Sequence, residues 1–112
     1  MCTKSDLFSI TDTVTSEARG LLGDLLDAVI LYGSYARGDY DDESDIDIMI
    51  RINCPREQLN TYKQLFIRLA DKLSLQYGVE ISLSLTDRST YDRYKNHLPY
   101  YENIEREGIK IA

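Results

Sequence analysis

Residues 32 to 50 read "YGSYARGDYDDESDIDIMI", with Gly33-Ser34 followed, after ten residues, by Asp45-Ile46-Asp47. On an extended chain Asp45 and Asp47 point to the same side, with Cβ atoms ~7 Å apart. Carboxylates so placed repel one another, and burying either one unpaired is costly. Solvent relieves that cost, and so does a divalent cation. Hard ions such as Mg²⁺ take oxygen ligands, typically one or two carboxylates with substrate phosphates supplying others. Taken alone, the acid pair reads more readily as the solvated side of a strand, although Asp is a poor strand former. The upstream residues shift the balance. Gly33 lets the main chain come close to a ligand, and a helix starting at Ser34 would aim free N–H groups at an anion. Arg37 lies one turn further on, in reach of a phosphate. A phosphate cradle at the end of one strand and an acid pair on the next suit phosphoryl or nucleotidyl transfer. In that chemistry a metal neutralises charge and aligns the attacking oxygen.

The elements that must hold these residues are legible as periodic patterns. With Ser5 as N-cap, Leu7, Ile10, Val14, Ala18 and Leu21 recur at helical spacing to about Leu22, where Gly23 ends the run. "AVILY" (28–32) reads as a buried strand, and "GSYARG" (33–38) as a turn opening a short helix. "DIDIMIRI" (45–52) alternates, with its isoleucines on one face and Asp45, Asp47, Met49 and Arg51 on the other. Pro55 suits the first position of a helix carrying Leu59, Tyr62, Phe66, Leu69 and Leu73 inward, with Gly78 just past its end. "VEISLSL" (79–85) alternates again, with Glu80, Ser82 and Ser84 opposite its apolar side. Beyond it the pattern predicts a short helix, a break at Pro99, a second short helix and a brief terminal strand. Two alternating strands imply a sheet covered by helices on one face and partly open on the other.

At 112 residues the chain fits one domain, 1–112, with no internal boundary, repeat or low-complexity run. Its apolar fraction of 43% and charged fraction of 29% are those of an ordinary globular protein. No window resembles a membrane span, and "MCTKSDLFSITDTV" has no apolar signal core, so a cytoplasmic location is expected. Cys2 and Cys54 form no disulfide framework or metal spacing. The net charge of −6 argues against a broad nucleic-acid surface but not against a nucleotide, whose phosphates a metal on acids can meet.

The run "GSYARGDYDDESDIDI" resembles the signature of the DNA polymerase beta-like nucleotidyltransferase superfamily, and is most similar to its minimal nucleotidyltransferases. The specific match covers about twenty residues; element order and length agree over nearly the whole chain. The resemblance implies an α+β, polymerase beta palm-like nucleotidyltransferase fold, with a small mixed sheet of three to four strands backed by helices. It implies transfer of a nucleoside monophosphate from an NTP, with ATP the expected substrate, to a hydroxyl with release of pyrophosphate. Asp45 and Asp47 would bind two Mg²⁺ ions, Gly33 and Ser34 would hold the triphosphate, and Ser44 would support that loop or a phosphate. The superfamily's third carboxylate, which helps activate the attacking hydroxyl, has one candidate, Glu80, read equally well as the exposed residue of an amphipathic strand.

Members of this minimal family commonly pair with a HEPN-domain protein, a ribonuclease toxin, and some transfer AMP to it as antitoxins. The resemblance therefore implies a protein adenylyltransferase of that kind, with the acceptor held by a partner or a second subunit. One alternative is transfer to a small cationic molecule such as an aminoglycoside, in a pocket at a dimer interface. Another is a catalytically degenerate antitoxin that acts by contact. Asp39, Asp41, Asp42 and Glu43 read as a solvated loop, His97 as surface, and Arg51 as the partner of an acid. Tyr91, Tyr94, Tyr100 and Tyr101 crowd the last quarter of the chain, where such rings suit an interface or helix-to-sheet packing.

Overall fold

The first helix starts at a capping box. In a computed structural model that describes residues 2–112, the Asp6 N–H donates to the Thr3 hydroxyl and the Thr3 N–H donates to the Asp6 carboxylate. The N-cap is thus Thr3 rather than the expected Ser5, because the Asp6 side chain can return the bond only at that spacing. Helix α1 (Lys4–Leu22) buries Ile10, Val14, Ala18 and Leu22 and ends at Gly23, whose φ of +55° suits a residue without a side chain.

Strands β1 (Leu26–Tyr32), β2 (Ile46–Ile52), β3 (Ile81–Asp87) and β4 (Ile109–Lys110) form one sheet in the order β3-β2-β1-β4. β1 runs antiparallel to β2 and β4, whereas β2 and β3 are parallel. The sheet is therefore mixed, as expected. Between β1 and β2 lies the short helix α2 (Ser34–Arg37), and between β2 and β3 the long helix α3 (Leu59–Tyr77). Ile46, Ile48, Ile50 and Ile52 of β2 are fully buried with Val29, Leu31 and Ile81, against α1 and against Phe66, Ala70 and Leu73 of α3. Each such side chain contributes about 1.5–3 kcal/mol on leaving water.

Four boundaries among the later elements differ from expectation. β2 starts at Ile46, leaving Asp45 just before the strand. β1 starts two residues early, at Leu26. Pro55 is extended and precedes a 3₁₀ turn, Arg56–Gln58, so α3 starts at Leu59 rather than at the proline. β3 runs two residues later than "VEISLSL", because Gly78 closes α3 in the left-handed region and two residues then cross to the sheet. Ser74 fixes the arrival point: its hydroxyl donates to the Ala70 carbonyl and accepts from the Ile81 N–H.

The second sheet face is also covered, though only at one end. Helices α4 (Arg88–Tyr94) and α5 (Pro99–Glu107) lay Tyr91 and Ile104 on Ala28, Ile30 and Met49. Tyr91 is packing, as one of its two expected uses required. Its hydroxyl donates to Glu105 at 2.6 Å, and the Arg51 guanidinium stands 4.5 Å from its ring centroid. Arg51 does pair with an acid, Asp27, which also accepts from Arg88 at 2.8 Å. The face stays open where Asp45 and Ser82 are exposed.

Candidate active site

The open end of that face is built by strand register. Asp47 lies opposite Tyr32 of β1 on one side and Ser82 of β3 on the other. Gly33, directly after β1, brings its main chain against Asp47 so closely that a Cβ there would sit 2.6 Å from Asp47 Oδ2. The φ of +76° at Gly33 is a second reason for glycine at this position. The Ala36 and Arg37 N–H groups both donate to the Gly33 carbonyl at 3.1 Å, so α2 winds up directly from the glycine that touches Asp47. Gly-Ser and Asp-x-Asp, separated in sequence, are thus in contact.

Asp47 is half-buried, and desolvation raises its carboxyl above the usual range. The nearby Asp45 charge raises it further, Arg37 pulls it back in part, and Glu80 adds a smaller push upward. An acid desolvated beside two like charges is a strained arrangement that a cation relieves. The donor set is all oxygen, which fits Mg²⁺: Asp45 and Asp47 would supply the one or two carboxylates that such an ion takes from protein.

The other expected residues fall around this pair. Ser34 is half-buried at the start of α2. Arg37 is at the mouth, donating to Asp39 at 3.1 Å and to Glu107 at 3.5 Å. Ser44 ties the acidic loop together, accepting from the Asp41 N–H at 2.9 Å and donating to the Asp41 carboxylate at 3.2 Å. Asp39, Asp41, Asp42 and Glu43 are solvent-exposed, as read from sequence.

Glu80 falls just outside the strand expected to carry it. It lies one residue before β3 rather than within it, and its carbonyl accepts from the Ile46 N–H at 2.9 Å. The register therefore puts it level with Asp45, one step short of Asp47. Its carboxylate is exposed. Among the described residues no three carboxylate, imidazole or thiol groups converge in metal-holding geometry, while the Glu80 charge still acts on Asp47.

Sequence reasoning did not place Tyr32, Ser84 and Tyr100 in this site. The Tyr32 hydroxyl shares hydrogen bonds with Ser84 at 3.1 Å and with Tyr100 at 3.2 Å. Burial, and secondarily the Tyr100 and Asp47 neighbours, push the Tyr32 phenol well above its ordinary range despite the Ser84 bond. A cavity of about 170 Å³ joins Tyr32, Gly33, Arg37, Tyr100, Asn103 and Glu107. The one sequence signal was position: Tyr32 immediately precedes the Gly-Ser pair.

Comparison with known proteins gives the family and the fold. Residues 16–111 match the family described as "Nucleotidyltransferase domain". Over 110 residues, 95% of this chain and 99% of the other, the sequence is 40% identical to "Putative protein adenylyltransferase MJ0141" of Methanocaldococcus jannaschii. A relative of the same designation from that organism, MJ0604, is 38% identical over 80 residues, 71% of this chain and 72% of the other. Among solved structures, a toxin–antitoxin with AMP-PNP aligns with a TM-score of 0.58 at 17% identity, over 91% of this chain and 72% of that one. A mutant of the toxin–antitoxin MntA-HpeT aligns at 0.56 and 18% identity, over 90% and 70%. These two likenesses are of fold. The chain belongs to the nucleotidyltransferase domain family and is a nucleotidyltransferase.

Proposed function

We propose that this chain transfers AMP from ATP to a hydroxyl of a partner protein, as the antitoxin of a HEPN-domain toxin. The observation that carries the transfer chemistry is the contact between the Gly33 main chain and the desolvated Asp47 carboxylate, beside the like charge of Asp45. In this reading Asp45 and Asp47 hold Mg²⁺, and Gly33, Ser34 and Arg37 face the triphosphate. Arg37 exchanges its surface bonds to Asp39 and Glu107 for phosphate oxygens, an inexpensive exchange because exposed ion pairs contribute only ~0–1 kcal/mol. When bound, the metal withdraws charge from the α-phosphate and the departing pyrophosphate. Glu80, level with Asp45 and electrostatically coupled to Asp47, is the candidate for the third carboxylate.

The relatives designated as protein adenylyltransferases support a protein acceptor. The toxin–antitoxin fold neighbours support an antitoxin role. No helix among the described residues is long and apolar enough to cross a membrane, which is compatible with work in the cytoplasm. Transfer to a small molecule and contact-only neutralisation are the competing outcomes. The test incubates cell lysate, Mg²⁺ and the purified chain with ATP labelled at either the α- or the γ-phosphate. Label should pass to protein from α-labelled ATP only and vanish with Asp47→Ala. Label from the γ-position, or transfer that survives the substitution, would refute the reading.

A further inference from the structure

The face that carries Asp45 and Asp47 holds a tyrosine hydroxyl of the chain's own. Ser84 of β3 and Tyr32 of β1 flank β2, so the Tyr32 ring must cross β2 on the Asp47 side for its hydroxyl to reach Ser84 at 3.1 Å. Tyr100, in the first turn of α5, meets that same hydroxyl at 3.2 Å and packs edge-on against the Tyr32 ring, with centroids 5.9 Å apart. Pro99 at the start of α5 and the edge-on ring of Tyr101, at 5.1 Å, fix the approach. The Tyr100 hydroxyl is therefore held against the Tyr32 hydroxyl, on the residue that pairs with Asp47 across the β1–β2 ladder. Tyr100 also lines the cavity that opens onto Gly33 and Arg37. Of the two phenols in this network, Tyr32 is the more enclosed and Tyr100 the exposed one, at 45% of its surface.

We infer that Tyr100 is an adenylylation site of this chain itself, modified by the same centre that serves the external acceptor. This rests on the transfer chemistry proposed above. The Tyr100 oxygen attacks the α-phosphorus of ATP, forming the O–P bond of a tyrosyl-AMP ester. The bridging bond from the α-phosphorus to the oxygen of the β-phosphate breaks, pyrophosphate leaves, and the phenol proton passes to solvent. The adenylylated side chain no longer fits beside Tyr32, so the modification loosens the first turn of α5 and closes the acceptor side of the cleft to a second hydroxyl.

The purified full chain, incubated with Mg²⁺ and α-labelled ATP and no other protein, should gain the mass of one adenylyl group. Peptide mapping should place the label on Tyr100. Tyr100→Phe keeps the ring packing and should lose the label, while Tyr101→Phe should keep it; thermal melting of both variants checks that they fold. Label on another residue, or retained in full by Tyr100→Phe, would overturn the inference. So would a chain that stays unlabelled when lysate is added and labels a lysate protein, and in that case the transfer reading stands. If Mg²⁺ and ATP neither shift the melting temperature nor give any labelled product, both readings fall together.

Discussion

Gly33 and Asp47 show how closely the chemistry is tied to single atoms. Any side chain at position 33 would need the left-handed backbone and would meet Asp47 Oδ2 at 2.6 Å. Gly33→Ala should therefore cost about 1–3 kcal/mol and abolish Mg²⁺-dependent nucleotide binding, measured by urea unfolding and by titration with ATP. Asp47 is expected to behave in the opposite sense towards stability. Its folded-state carboxyl is raised, chiefly by desolvation and then by Asp45, so the folded chain holds a proton there that the unfolded chain has released. The fold consequently loses stability as pH climbs from the ordinary carboxylate value through the raised one. In metal-free buffer at neutral pH, Asp47→Asn should melt higher than the parent, with the gain shrinking as the buffer is made acidic. A lower melting temperature would mean that Asp47 has a stabilising partner. The acid pair and the Gly-Ser turn were legible in sequence because they lie within about twenty residues at a fixed spacing. Tyr32, Ser84 and Tyr100 were not, because three separate elements bring them together and no local pattern marks the meeting point.

At the scale of elements, side-chain alternation fixed which face each strand residue occupies but not where each strand begins. "VEISLSL" alternates equally well in either frame, and only the Gly78 turn and the Ser74 bond to the Ile81 N–H set the start at Ile81. That two-residue shift is what carries Glu80 out of the strand and leaves Ser82 opposite Asp47. Covering of the second face was equally hard to foresee, since it depends on Tyr91 and Ile104 arriving from helices late in the chain. Two substitutions test how that cover is held. Gly108→Ala would drive a methyl group to 2.5 Å from the Ile104 carbonyl and 2.6 Å from Ile30, prising α5 from β1. A loss of about 1–3 kcal/mol is expected in denaturant unfolding, and unchanged stability would show that α5 can shift freely. Burial acts to raise the Asp27 carboxyl, but hydrogen bonds from Arg51 and Arg88 outweigh it and hold the group below the usual range. Its stabilising effect is present above the ordinary carboxylate value and is lost as pH falls through the lowered one. Asp27→Ala leaves Arg51 enclosed beneath α4 without its counter-charge, and should cost about 2–4 kcal/mol at neutral pH.

For the molecule as a whole, the like charges of Asp45, Asp47 and Glu80 at one end of the sheet are a cost to the fold, which the proposed metal and nucleotide would offset. A net charge of −6 adds to that self-repulsion, so metal and nucleotide together should stabilise the chain far more than either alone. The measurement that tests this most directly is the melting temperature with Mg²⁺, with a non-hydrolysable ATP analogue, and with both, for the parent and for the Asp45→Asn/Asp47→Asn double variant. With both ligands at roughly a hundred times their dissociation constants, the parent should rise by about 10 °C, while the double variant starts higher and does not move. An equal rise in the double variant would place the nucleotide elsewhere and contradict the site.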